Sequence, residues 1–138
     1  MNSEGMLRET IVPPSNQAMY DHHHCAPATK VGGLIWVSGQ VGTDADGRPG
    51  VGVAAQTRLA IENLRAVLEA AGAELSDVVE LITFHTDLRG DIAAFVQVKD
   101  EFFAAPYPAW SAVGVAQLIR PELLVEIRAV AVAGSGRT

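Results

Sequence analysis

The chain reads as a single α+β domain, a mixed sheet of about six strands with two helices packed on one face. Three observations predict it. Short runs rich in β-branched and aromatic residues recur towards both ends of the chain. Two longer segments between them repeat apolar residues every three or four positions. Turns carrying glycine or proline separate these segments. With 138 residues, 49% hydrophobic and 19% charged, the chain has enough apolar surface for one core and is unlike a disordered segment. Nothing repeats internally and no linker divides it, so residues 1–138 are expected to form one domain with loose ends over 1–15 and 134–138.

In chain order, a short edge strand is expected around Arg8–Val12, before Pro13-Pro14. Tyr20–Thr29 alternates in part and leads through the turn Lys30-Val31-Gly32-Gly33 into Leu34–Ser38, a buried strand, so the two suggest a hairpin. Thr43–Gly50, with Asp46-Gly47, Pro49 and Gly50, is a loop. Val53, Thr57, Ala60, Leu64, Val67 and Ala71 mark one face of a helix, which Gly72 ends as a left-handed cap. Val78–Thr86 is a strand. Ile92, Phe95, Val96, Phe102 and Phe103 lay out a second amphipathic helix, closed by Pro106 and Pro108. Trp110–Gln117 and Leu124–Val132 are two further strands across a Leu118–Leu123 turn, read as a second hairpin. Helices this amphipathic must cover one sheet face.

Charge and motifs exclude several classes. The formal charge is −6 and the lysines and arginines are scattered, which disfavours a nucleic-acid partner needing phosphate neutralisation. No apolar run is long enough to span a bilayer, and Met1–Gly5 lacks a signal pattern. A lone cysteine, Cys25, suits a reducing cytoplasm. No glycine-rich nucleotide loop, paired-cysteine zinc pattern or His-Glu-x-x-His occurs, so neither a cofactor nor a metal is expected.

Three stretches carry a family resemblance: Val37-Ser38-Gly39-Gln40-Val41-Gly42, Pro108-Ala109-Trp110-Ser111-Ala112-Val113-Gly114-Val115 and Leu124-Val125-Glu126-Ile127. Together they resemble the RidA/YjgF family of small trimeric proteins, over about Tyr20 to Val132. The resemblance implies a chorismate-mutase-like fold, a homotrimer with a barrel-like core, and clefts between subunits. Deaminases of that family hold the substrate carboxylate with an arginine in a Pro-Ala-Arg-Ser type motif, and Trp110 occupies that place here. An indole has a flat face and one N–H donor but no charge, so it cannot replace a bidentate guanidinium.

Candidate residues follow. Strand alternation puts Leu124, Glu126 and Arg128 on one face. Glu126 matches the family glutamate that positions water, and the competing role is an ion pair with Arg128 or a neighbouring subunit. The resemblance sets Trp110 opposite Glu126 at the cleft wall, as a stacking platform or as an interface residue filling the arginine's space. Arg128 and Arg120 are substitute carboxylate clamps or ordinary surface ion pairs. Ser38 and Gly39 line the cleft, or Gly39 serves a strand bulge. Cys25 falls where the family's deaminases carry an active-site tyrosine. If Asp21–Cys25 is extended, His22 and His24 share one face and His23 and Cys25 the other. That leaves a His23-assisted thiolate, a metal pair at His22 and His24, or a buried cysteine beside ordinary histidines. Gln56 and Asn63 read as side chains that bridge backbone, and His85 and Asp87 as structural or functional alike.

The resemblance thus implies a cytoplasmic small-molecule hydrolase acting on a reactive imine or enamine in inter-subunit clefts. Glu126 would activate water, and deamination of simple 2-imino acids would be weak or absent. The alternative is a non-catalytic trimeric ligand-binding protein, followed by a ribonuclease or translation inhibitor.

Overall fold

Six strands form one sheet in the order β1-β2-β3-β6-β4-β5 in the computed structural model, which describes residues 7–137. In chain order the elements are β1 (Glu9–Ile11), α1 (Gln17–His23), β2 (Ala28–Val31), β3 (Leu34–Val41), α2 (Val53–Ala70), β4 (Val78–His85), α3 (Leu88–Phe102), β5 (Ala109–Gly114) and β6 (Val125–Val132). All neighbours pair antiparallel except β4 and β5, which run parallel. A parallel pair needs a crossover, and α3 supplies it.

The core lies between the sheet and α2 and α3. Alternation on β6 buries Val125, Ile127, Ala129 and Ala131 against the helices and turns Glu126, Arg128, Val130 and Val132 to the other face. On α2 the expected stripe is the buried one: Thr57, Ala60, Leu64 and Val67 pack on the sheet with Ile61 and Leu68. Burying each leucine or isoleucine contributes about 1.5–3 kcal/mol. The helix ends as its sequence predicts, with Gly72 at φ 83° just past the C-cap Ala71.

Several expectations need correction. Tyr20–Thr29 is extended only at its end: α1 covers Gln17–His23, His24 ends it in the left-handed region at φ 53°, and the hairpin into β3 begins at Ala28. The last two strands are not a hairpin. β6 inserts between β3 and β4, and β5 is an outer strand bonded to β4 alone. Nor are residues 134–137 loose. The Gly136 N–H donates to Asp77 Oδ1 at 2.8 Å and Ser135 Oγ donates to the Asp77 carbonyl at 3.4 Å. Arg8–Val12 and Pro13–Ser15 belong partly to β1 and to a short helical turn, while 1–6 and 138 lie outside the described residues.

Polar side chains stitch the loops to this frame. Gln56, 2% exposed, donates to the carbonyls of Gly50 and Glu122 and accepts from the Leu124 N–H. Asn63 donates to the carbonyls of Val41 and Thr43. Both read correctly as backbone bridges. The Gln56 bonds fix the segment entering β6, and so the height at which Glu126 meets β3.

Candidate functional site

Two segments distant in sequence meet on the helix-free face of the sheet. β3 breaks its pairing with β6 between Val37 and Gln40, a bulge that carries Ser38 and Gly39. Opposite it, β6 presents Glu126. A side chain at residue 39 would overlap the Glu126 carboxylate, so the absence of a Cβ there lets the carboxylate lie against the β3 backbone. Gly39 thus serves the bulge. Ser38 Oγ donates to the Ala26 carbonyl at 2.6 Å, and Cys25 Sγ lies 3.6 Å from the same hydroxyl. Cys25, Ser38, Gly39 and Arg128, with Thr29 and Trp36, line a groove of about 370 Å³.

Burial pushes the Glu126 carboxyl above its ordinary value. No ion pair joins Glu126 to Arg128 among the described residues, although both stand on one strand face, and Arg128 is exposed at the groove. Glu126 is thus a partly desolvated carboxylate without a bound counter-charge. Such a group exchanges protons at a higher pH than a solvated glutamate.

Trp110 lies elsewhere. It pairs in register with Leu81, whereas Glu126 pairs with Phe84 and Val41, and its ring points to the helix-covered face. Within one chain it therefore does not stand opposite Glu126. Its N–H donates to Thr83 Oγ1 at 2.9 Å, its ring centroid lies 5.8 Å from that of Phe95, and the Lys99 ammonium sits 4.8 Å from the ring. Thr83 Oγ1 is in turn 2.7 Å from Nε2 of His85, whose ring meets Phe95 edge-on. His85 is fully buried, and burial lowers its pKa, with Asp91 offsetting part of the effect. It is a core residue. Asp87 caps α3 by accepting from the Gly90 N–H.

Arg120 is also outside the groove. Its guanidinium donates to the Gly47 carbonyl at 2.7 Å and pairs with Glu122 at 3.5 Å, which ties the Thr43–Gly50 loop to the turn before β6. The histidines no longer share faces as an extended strand would place them. His22 and His23 end α1, and no cluster fit for a metal occurs among the described residues.

Trp36 and Thr29 are groove residues that the sequence reading passed over. Trp36 falls within a run that reads as a buried strand, yet it stands two residues from Ser38, on the same face before the bulge. Lys99 also escaped notice, although its spacing of four from Phe95 puts it on the apolar face of α3.

Comparison with known proteins agrees with this architecture. The family model for endoribonuclease L-PSP matches residues 15–133. The chain belongs to the RidA/YjgF family. Within that family, it is 41% identical to the RutC family protein YjgH of Escherichia coli over 112 residues, covering 80% of this chain and 86% of that protein. It is 37% identical to the 2-iminobutanoate/2-iminopropanoate deaminase of Salmonella typhimurium, covering 74% and 81%. Among solved structures, that of protein YjgH superposes with a TM-score of 0.82 at 38% identity, over 91% of this chain and 96% of the other. E. coli TdcF with bound serine gives 0.75 at 33% identity, over 80% and 88%. The mixed sheet with helices on one face is thus the RidA/YjgF fold. No helix among the described residues is long and apolar enough to cross a membrane.

Proposed function

We propose that this chain is a RidA-like hydrolase of reactive imines or enamines, acting as a homotrimer in clefts that include the Ser38–Gly39–Glu126 face. The observation that carries the reading is Glu126 itself, a half-buried carboxylate with a raised pKa, lying against a glycine backbone beside a groove. In the reaction a water adds to the imine carbon, the C–N bond then breaks, and a ketone and ammonia leave. Glu126 accepts the water proton and returns it to the departing nitrogen. Ser38 and the Gly39 backbone orient the substrate, and Cys25 lines the groove without attacking. Relatives support the substrate class, since proteins 37% identical to this one are 2-iminobutanoate/2-iminopropanoate deaminases.

The anchor differs. Trp110 stands where the family resemblance expects the carboxylate-binding arginine, and its ring is engaged by Thr83, Phe95 and Lys99. Arg128 is the guanidinium that lines the groove, while Arg120 is occupied by Gly47 and Glu122. Losing a charge-assisted anchor costs roughly 2–5 kcal/mol, about one and a half to four decades in rate. Little turnover of 2-iminobutyrate or 2-iminopropionate is therefore expected. Release of ammonia and the 2-oxo acid, measured beside the Salmonella deaminase, tests this, and equal rates would defeat it.

The uncharged position 110 also favours a second reading, a trimer that binds a ligand without turning it over. Native mass spectrometry of the purified protein separates the two by showing a retained metabolite and whether it is consumed. The net charge of −6 argues against ribonuclease action.

A further inference from the structure

Lys99 is 7% exposed, and its ammonium lies over the face of Trp110 at 4.8 Å. Among the described residues its one ion pair is to Asp100 at 3.4 Å, a side chain that is itself 57% exposed. An ammonium taken so far out of water needs compensation close by, and a solvated neighbouring carboxylate gives little of it. The electron-rich face of the indole supplies the rest. The ring is held for that role. Its N–H is bonded to Thr83, Phe95 packs nearby, and the Thr83 hydroxyl is free to donate to His85 Nε2. With Trp110 in place the site holds one cation, and that cation comes from α3 and not from β5.

We propose that Lys99 is a specificity-determining residue that sets the chemistry of position 110. Its ammonium favours an aromatic ring there and disfavours a second cation, so position 110 itself supplies no guanidinium to a carboxylate. The functional half of this inference rests on the reading of position 110 given above, but the coupling between the two side chains does not.

The test is a set of double-mutant cycles on the assembled protein, read as unfolding constants from urea melts. Lys99→Met keeps the aliphatic stem and removes the charge. Towards Lys99, Trp110→Leu removes the attraction between ring and ammonium, whereas Trp110→Arg removes it and adds repulsion; the lost Thr83 bond and Phe95 contact cancel within each cycle. The Lys99 coupling to Trp110→Arg should therefore exceed that to Trp110→Leu by about tenfold or more in the unfolding constant, as expected for like charges within about 5 Å in a partly dry site. Equal couplings, or none, overturn the proposal. Should neither arginine variant fold, Trp110→His decides, because it stays neutral until acidified. Its imidazole pKa, followed by NMR, should rise when Lys99→Met is added, and an unchanged value overturns the proposal equally. Calorimetry with 2-oxobutyrate, an unreactive carboxylate probe, reads the functional half. Tightest binding is expected for Trp110→Arg combined with Lys99→Met. If the coupling is found and that double variant gains no affinity, the coupling of Lys99 to position 110 stands, and its role in specificity falls with the anchor reading.

Discussion

A carboxylate that loses water on folding resists ionisation, and Glu126 loses it by lying against Gly39. Its folded pKa is raised above the unfolded value. The stability it contributes is fully present below the unfolded pKa and is lost as pH rises through the folded pKa. Glu126→Gln should therefore melt higher than the parent at neutral pH, with the gap closing on acidification. The same substitution should lower turnover by roughly two to four decades once a substrate is in hand, while Cys25→Ser keeps most of it. Thermal melts across pH 4–8 and steady-state rates on assembled protein check both halves. An Glu126→Gln variant that is less stable at pH 7 would refute the burial argument, and one with full activity would refute the water-activation role. At this scale the sequence was partly legible. Alternation alone put Glu126 and Arg128 on one face, and the Ser-Gly-Gln motif marked the bulge. Within one chain Trp110 and Glu126 stand apart for a physical reason: alternation says which residues share a face, but the strand's partner says which face that is. The resemblance sets Trp110 opposite Glu126, whereas in the chain itself parallel pairing to β4 sends the ring under α3.

Elements with a strong apolar period were read well, and those without one were not. α2 and α3 announced themselves through a buried stripe, but α1 buries none of its residues and so offers no period to detect. The C-terminal segment is a similar case. Its small residues suggested fraying, yet Asp77, 4% exposed, accepts from the N–H groups of Glu74 and Gly136. Burial alone would raise the Asp77 pKa. The bonds from Gly136, Glu74 and Gly134, with the charge of Arg137, outweigh it and leave the pKa lowered. A depressed carboxylate gives stability above its unfolded pKa and loses it as pH falls through the folded value. Asp77→Ala should cost about 1–3 kcal/mol at pH 7 and progressively less in acid. Hydrogen exchange should show the Gly136 amide losing protection in that variant. Unchanged protection would mean that the tail is held by something other than Asp77.

For the whole molecule the open question is what covers the second face of the sheet. Ile82, Phe84, Val130 and Val132 are only half-buried there, and Trp36 and Val113 are exposed. An apolar sheet face of this kind calls for a partner. The homotrimer proposed above should appear as three times the 14.6 kDa chain mass in light scattering at micromolar concentration, and a stable monomer would refute it. The fold class was legible because two amphipathic helices and several β-rich runs leave few arrangements. Strand order was less so, because an outer strand and a central one look alike when each alternates.

That order has a consequence for how the molecule is made. β6 is the last of the six described strands in sequence and a central one in the sheet, bonded to β3 on one side and β4 on the other. During synthesis β1, β2 and β3 leave the ribosome as one ribbon, and β4 and β5 as another, with no ladder of their own between them. Only when Val125–Val132 has emerged can the two ribbons be zipped together. The groove between β3 and β6 is assembled at the same moment. A nascent chain therefore cannot display the finished groove, and an incomplete product exposes two raw strand edges that quality control can recognise.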